Sequence, residues 1–129
     1  MKLKYTILYV QDVAASLAFY EAAFGLATRH VHESGEYAEL ETGATTLAFS
    51  ARQFLHSIGK SVAAPDRNAP VFEIAFETDD VAKDFERAVA NGATPVSAPQ
   101  AMPWGQTVSY VSDCDGYLVE ICSPVVRPA

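Results

Sequence analysis

The chain has 129 residues and a formal charge of −7, with 50% hydrophobic and 19% charged residues. That suits one domain, or two small half-domains sharing a core, and it is too apolar for a disordered chain. No apolar run reaches the ~18 residues that span a bilayer, and nine Lys and Arg against sixteen Asp and Glu leave no basic footprint for nucleic acid. The start, Met1-Lys2-Leu3-Lys4-Tyr5-Thr6, lacks the apolar block of a signal peptide. The expectation is a soluble cytoplasmic protein without nucleic-acid or membrane partners.

Residues 3–10 mix aromatic and aliphatic side chains and read as a strand buried on both faces. Asp12 offers an N-cap, and Val13, Leu17, Tyr20 and Phe24 follow as the apolar stripe of a helix that Gly25 stops. Three short strands are predicted at 28–33, 37–41 and 45–50, separated by Ser34-Gly35-Glu36 and Thr42-Gly43-Ala44. Residues 51–70, with Gly59, Pro65, Asp66, Asn68 and Pro70, read as a linker. The pattern then restarts. A strand at 71–78 leads to a helix capped by Asp79 or Asp80, with Val81, Phe85 and Val89 as its stripe and Gly92 as its stop. A short strand at 94–97, a loop at 99–105, strands at 106–112 and 117–122, and a tail closed by Pro124 and Pro128 complete the chain. Cys114 and Cys122 do not form a CxxC pair and read as free thiols.

Overlaying the halves at a shift of 68 places Asp12-Val13 on Asp80-Val81, Leu17 on Phe85 and Tyr5 on Glu73. Each half runs strand, helix, then three strands. The fold class is therefore α+β: two βαβββ modules, 1–50 and 71–129, forming a curved mixed sheet around a cleft with the helices outside. A helix covers one sheet face only, so the other face is left for a ligand.

Several fragments carry a family resemblance. They are Leu8-Tyr9-Val10-Gln11-Asp12-Val13 with Ser16, Phe19, Tyr20 and Gly25-Leu26; Phe72-Glu73-Ile74-Ala75-Phe76 with Asp80-Val81; Asn91-Gly92-Ala93; and Asp113-Cys114-Asp115-Gly116-Tyr117-Leu118-Val119-Glu120. In this order the chain resembles the vicinal oxygen chelate superfamily, which includes glyoxalase I, extradiol dioxygenases, fosfomycin-resistance enzymes and bleomycin-resistance proteins. The resemblance implies one glyoxalase-like domain, a homodimer, and a divalent metal held by one residue from each of four strands. Carried onto this sequence, those positions are Tyr5, Ala48, Glu73 and Glu120. Alanine cannot ligate and a neutral phenol ligates poorly, so no metal cofactor is expected beyond a degenerate site.

Strand alternation points Glu73 toward the open face, and Glu120 interrupts an otherwise apolar strand. These two are the candidate catalytic residues, as base and partner. Tyr5, Tyr9, Ala48, Tyr110 and Trp104 are the candidate ligand-binding residues, Trp104 on a Pro/Gly loop from which it would stack on a planar molecule. His30 and His32 share a strand face outside the family's ligand positions, and no P-loop, dinucleotide turn or Ser-His-Asp set is present. The expected function is metal-free binding of a small, partly aromatic, cationic molecule. The alternative is a lyase, isomerase or dioxygenase using Glu73 and Glu120.

Overall fold

The computed structural model describes residues 1–126, so Pro128, expected to close the tail, lies outside the described residues. The chain divides into two compact units, Met1–Ala64 and Pro65–Ala129. Both have the strand–helix–three-strand order expected from the internal repeat.

In the first unit, β1 (Tyr5–Val10), α1 (Val13–Phe24), β2 (Thr28–Val31), β3 (Tyr37–Leu40), β4 (Thr46–Ala51) and a short α2 (Arg52–Ser57) follow in order. The sheet order is β1-β4-β3-β2, with β1 and β4 parallel and the other pairs antiparallel. Helix α1 begins where predicted: the Asp12 side chain accepts from the Ala15 N–H at 3.1 Å. It ends at Gly25, whose φ of 70° lets it return its N–H to the Glu21 carbonyl at a conformation side chains resist. Asp12→Ala removes that N-cap and should cost the first unit about 1 kcal/mol, read from a denaturant titration.

The buried positions of α1 are Val13, Ser16, Tyr20 and Ala23, so the contact face is rotated from the predicted stripe, with Leu17 and Phe24 half-buried. The helix is apolar nearly all round, which blurs its periodicity, and Ser16 and Ala23 are small enough to sit flat on the sheet. Tyr20 anchors the core, its ring 4.9 Å from Phe49 and 5.0 Å from Phe24.

Three first-unit readings need correction. Strand β1 is not buried on both faces: Leu8 and Val10 are, while Tyr5 and Ile7 are 45% and 43% exposed, because one helix covers one side. Residues 52–57 form α2 rather than a linker, with buried Leu55 holding the helix against β4. Strand β2 stops at Val31, so His32 lies in the following turn, where its Nδ1 meets Ser34 Oγ at 2.8 Å.

The second unit contains β5 (Glu73–Glu77), α3 (Val81–Ala90), β6 (Thr94–Met102), β7 (Gln106–Ser112) and β8 (Leu118–Cys122). Its sheet order is β5-β8-β7-β6, with β5 and β8 parallel. The eight strands thus pair into two four-stranded mixed sheets. Asp80 caps α3, accepting from the Lys83 N–H at 3.1 Å.

Strand β6 runs nine residues where a short strand and a loop were expected. Pro99 opens the expected loop, but β6 is the sheet edge and shifts register twice, which are the places where proline is tolerated. The loop shrinks to a tight turn closed by the Gly105 N–H donating to the Met102 carbonyl. Gly105 has φ 86°, and a Cβ there would stand 2.8 Å from the Val126 carbonyl oxygen. Neither cysteine is in a disulfide; Cys114 is exposed and Cys122 buried. No helix among the described residues is long and apolar enough to cross a membrane.

Candidate functional site

In each unit the helix covers one sheet face, and alternation sends the odd-numbered residues of the first strand to the other. In the second unit that open face carries Glu73, Ala75 and Glu77 on β5. Their register partners on β8 are Leu118, Glu120 and Cys122. On β7, Tyr110 pairs with Glu120 and Val108 with Cys122. Ile74 and Phe76 point the other way.

The structure therefore brings Glu73, Glu120 and Tyr110 together. Glu120 is half-buried and Glu73 exposed. Burial holds the Glu120 carboxyl above the ordinary carboxylate range, and its hydrogen bond to Glu73 and the charge there push it the same way; a hydrogen bond with Tyr110 pulls against them. The Tyr110 phenol is raised by burial first, then by Glu120 and Glu73. A protonated Glu120 can donate to Glu73, and the Tyr110 O–H can donate to Glu120. Among the described residues no Lys, Arg or His forms an ion pair with either glutamate.

Trp104 sits in the β6–β7 turn, 56% exposed, its Nε1–H donating to Gln106 Oε1 at 2.8 Å. Gln106 Nε2 donates in turn to the Ser123 carbonyl at 3.0 Å, just past the end of β8.

In the first unit, register puts Tyr5 beside Thr46, Ile7 beside Ala48 and Tyr9 beside Ser50, all on the face away from α1. Ala48 is fully buried, while Tyr5 is 45% exposed. Lys4 Nζ lies 5.8 Å from the Tyr5 ring centroid and Lys60 Nζ 5.9 Å from that of Tyr9.

The sequence reading missed a polar network on this face. A bulge sets both Arg29 and His30 against Glu39 on β3. Arg29 Nη2 donates to Glu39 Oε1 at 2.7 Å and to Thr46 Oγ1 at 2.9 Å, while Nε donates to the same Glu39 oxygen at 3.2 Å. The Tyr37 hydroxyl donates to Glu39 Oε2 at 2.8 Å. Arg29 and then Tyr37 draw the Glu39 carboxyl below its ordinary value. Burial, followed by the bond to Glu39, pushes Tyr37 up to about 12. A sequence signal existed: Arg29, Tyr37 and Glu39 are polar in strands with one face against a helix.

Of the four positions that resemblance assigns to a metal, Ala48 offers no donor atom and Tyr5 a phenol. Among the described residues no three His, Cys, Asp or Glu side chains gather in a way that would hold an ion. This donor set does not fit a divalent-metal centre.

Comparison with known proteins gives a consistent fold. The family model described as Glyoxalase/Bleomycin resistance protein/Dioxygenase superfamily matches residues 2–121. A glyoxalase-related enzyme from Fulvimarina pelagi is 24% identical with a TM-score of 0.83, the match covering 100% of this chain and 99% of that one. A glyoxalase/bleomycin resistance protein/dioxygenase family enzyme from Burkholderia phytofirmans PsJN is 22% identical, TM-score 0.79, over 98% and 100%. A protein of unknown function from Agrobacterium tumefaciens str. C58 is 26% identical, TM-score 0.76, over 97% and 95%. No curated protein matches the chain.

Proposed function

Given that this chain belongs to the glyoxalase/bleomycin resistance protein/dioxygenase superfamily, we propose that it binds a small, partly aromatic, cationic molecule on the open face of its second unit, without a divalent metal. The observation that carries this reading is the gathering of Glu73, Glu120 and Tyr110 on one open sheet face, where among the described residues no Lys, Arg or His is ion-paired to either glutamate. An organic cation supplies the missing charge, and its ring stacks on Trp104. Charge distribution supports the same class of ligand. The second unit has ten Asp and Glu against four Lys and Arg, a net −6, and the first has six against five, a net −1. Homodimer formation belongs to the same reading, and light scattering tests it separately.

Three probes of one shape separate charge from ring: benzamidinium, benzamide and benzoate. Calorimetric titration should show benzamidinium binding at least about tenfold tighter than benzamide, a difference of about 1.4 kcal/mol. Binding should persist after chelator treatment. Trp104→Ala should weaken it by about 1 kcal/mol, the scale of one aromatic contact. Equal affinity for benzamidinium and benzamide overturns the reading, as does loss of binding on chelation.

The raised Glu120 also favours a second reading. A carboxyl held above its ordinary range beside Glu73 suits a general acid, with Glu73 as the base, in a lyase or isomerase. Recovery of an unchanged ligand after prolonged incubation separates binding from turnover.

A further inference from the structure

We propose that Gln106 is the positioning residue for the Trp104 ring: its amide clamps the indole to the chain segment that leaves β8, and so fixes how the ring is presented to a ligand. This inference rests on the reading above, in which a ligand's ring stacks on Trp104, and adds the group that holds that ring.

Tyr110 and Val108 are the register partners of Glu120 and Cys122, so alternation along β7 sends Gln106 to the same open face. Gln106 is half-buried at the end of that row. Trp104 stands in the turn just before it, exposed, and among the described residues its one hydrogen bond runs from Nε1 to Gln106 Oε1 at 2.8 Å. A side chain that far out of the core keeps its rotamer freedom unless a specific partner holds it. Here the partner is a side chain of the open face, so the indole is tied to the face that carries Glu120 and Tyr110.

Gln106 is itself braced, because its Nε2 donates to the Ser123 carbonyl. An indole N–H can only donate and a carbonyl can only accept, so the two partners demand opposite ends of the amide and fix which way round it lies. Glutamate in its place would set an oxygen against the Ser123 carbonyl, and leucine would hold neither partner. Ser123 is fastened in turn. Its N–H donates to the Thr107 carbonyl at 2.9 Å, and the Thr107 N–H donates to Ser123 Oγ at 2.8 Å. Further along, the Val126 N–H donates to the Gly105 carbonyl at 3.0 Å, an approach that the bare backbone of Gly105 admits. Residues 123–126 therefore run beside 105–107 and form the base on which the clamp stands. Ordering an exposed aromatic side chain on binding costs affinity, and a ring already held avoids that cost. Gln106 thus strengthens binding through Trp104, and its effect should vanish once the ring is gone.

The test pairs NMR of the free protein with a double-mutant cycle. The chain has one tryptophan, so a single indole N–H signal reports the clamp. That N–H should exchange with solvent about fivefold or more slowly in the parent than in Gln106→Leu, the worth of one hydrogen bond. In calorimetric titration Gln106→Leu should weaken benzamidinium about two- to fivefold, within the loss caused by Trp104→Ala, and should cost nothing further in the Trp104→Ala background. Equal exchange in parent and Gln106→Leu overturns the proposal. Should the leucine variant not fold, the parent is compared with a free tryptophan amide, and equal rates overturn it there. A protected indole with losses that simply add in the cycle overturns the positioning role alone. Trp104→Ala that binds benzamidinium like the parent overturns the stacking on which the proposal rests, so the two failures are told apart.

Discussion

Asp113→Ala should destabilise the second unit by about 3–4 kcal/mol, the largest stability effect expected for a single polar residue in this chain. Asp113 is 2% exposed, and one of its oxygens, Oδ1, accepts from three backbone N–H groups: Asp115 at 2.9 Å, Gly116 at 2.8 Å and Tyr117 at 2.8 Å. Those bonds bend the chain from β7 into β8, and so set the register that places Glu120 beside Tyr110. Alanine leaves three donors in a partly dry turn, each costing about 1 kcal/mol or more. Asparagine keeps the acceptor and should cost about 1 kcal/mol. Trp104, the only tryptophan, lies in the same unit, so fluorescence-detected denaturation reads this unit directly. A loss below about 1 kcal/mol in the alanine variant would show that water replaces the carboxylate without penalty.

Glu120→Gln should weaken benzamidinium binding about 10- to 100-fold at neutral pH, the worth of one charge-assisted hydrogen bond. The same substitution should raise the melting temperature of the free protein. The sign follows from the direction of the shift. The folded protein holds the Glu120 proton more tightly than the unfolded chain does, because burial and Glu73 oppose its ionisation. The resulting stability is fully present below the unfolded value and is lost as pH rises through the higher folded one. Glutamine never ionises, so the variant escapes that loss, and the two proteins should converge in acid. Ligand affinity runs the other way. A cation favours the doubly ionised pair, so parent affinity should climb with pH through the folded value, while the glutamine variant stays flat. Calorimetry from about pH 5 to about pH 8 checks both trends. A parent whose affinity does not change with pH would detach the pair from binding.

The fold was readable because its punctuation is local. Asp12 and Asp80 cap the helices where the sequence places them, and the repeat in Asp12-Val13 and Asp80-Val81 marks the start of each. What escaped depended on neighbours. Pro99 reads as the start of a loop until β6 is known to be an edge. The α2 segment has one buried apolar anchor, Leu55, too little for periodicity to reveal. The same division holds at the sites. Glu73 and Glu120 stand out because each is a carboxylate in an apolar strand, and alternation assigns their face. Arg29 was hidden because a bulge breaks the alternation on which that reading relies, and because its meaning rests on Glu39, Tyr37 and Thr46 across two other strands.

The most direct test of the account is a carboxyl-carbon NMR titration of Glu73 and Glu120, in the free protein and with benzamidinium. The account predicts that Glu120 in the free protein ionises above the ordinary glutamate value of ~4.3. Saturating benzamidinium should move Glu120 downward and release a proton near the folded value. A Glu120 that titrates near ~4.3, unmoved by the cation, would contradict it.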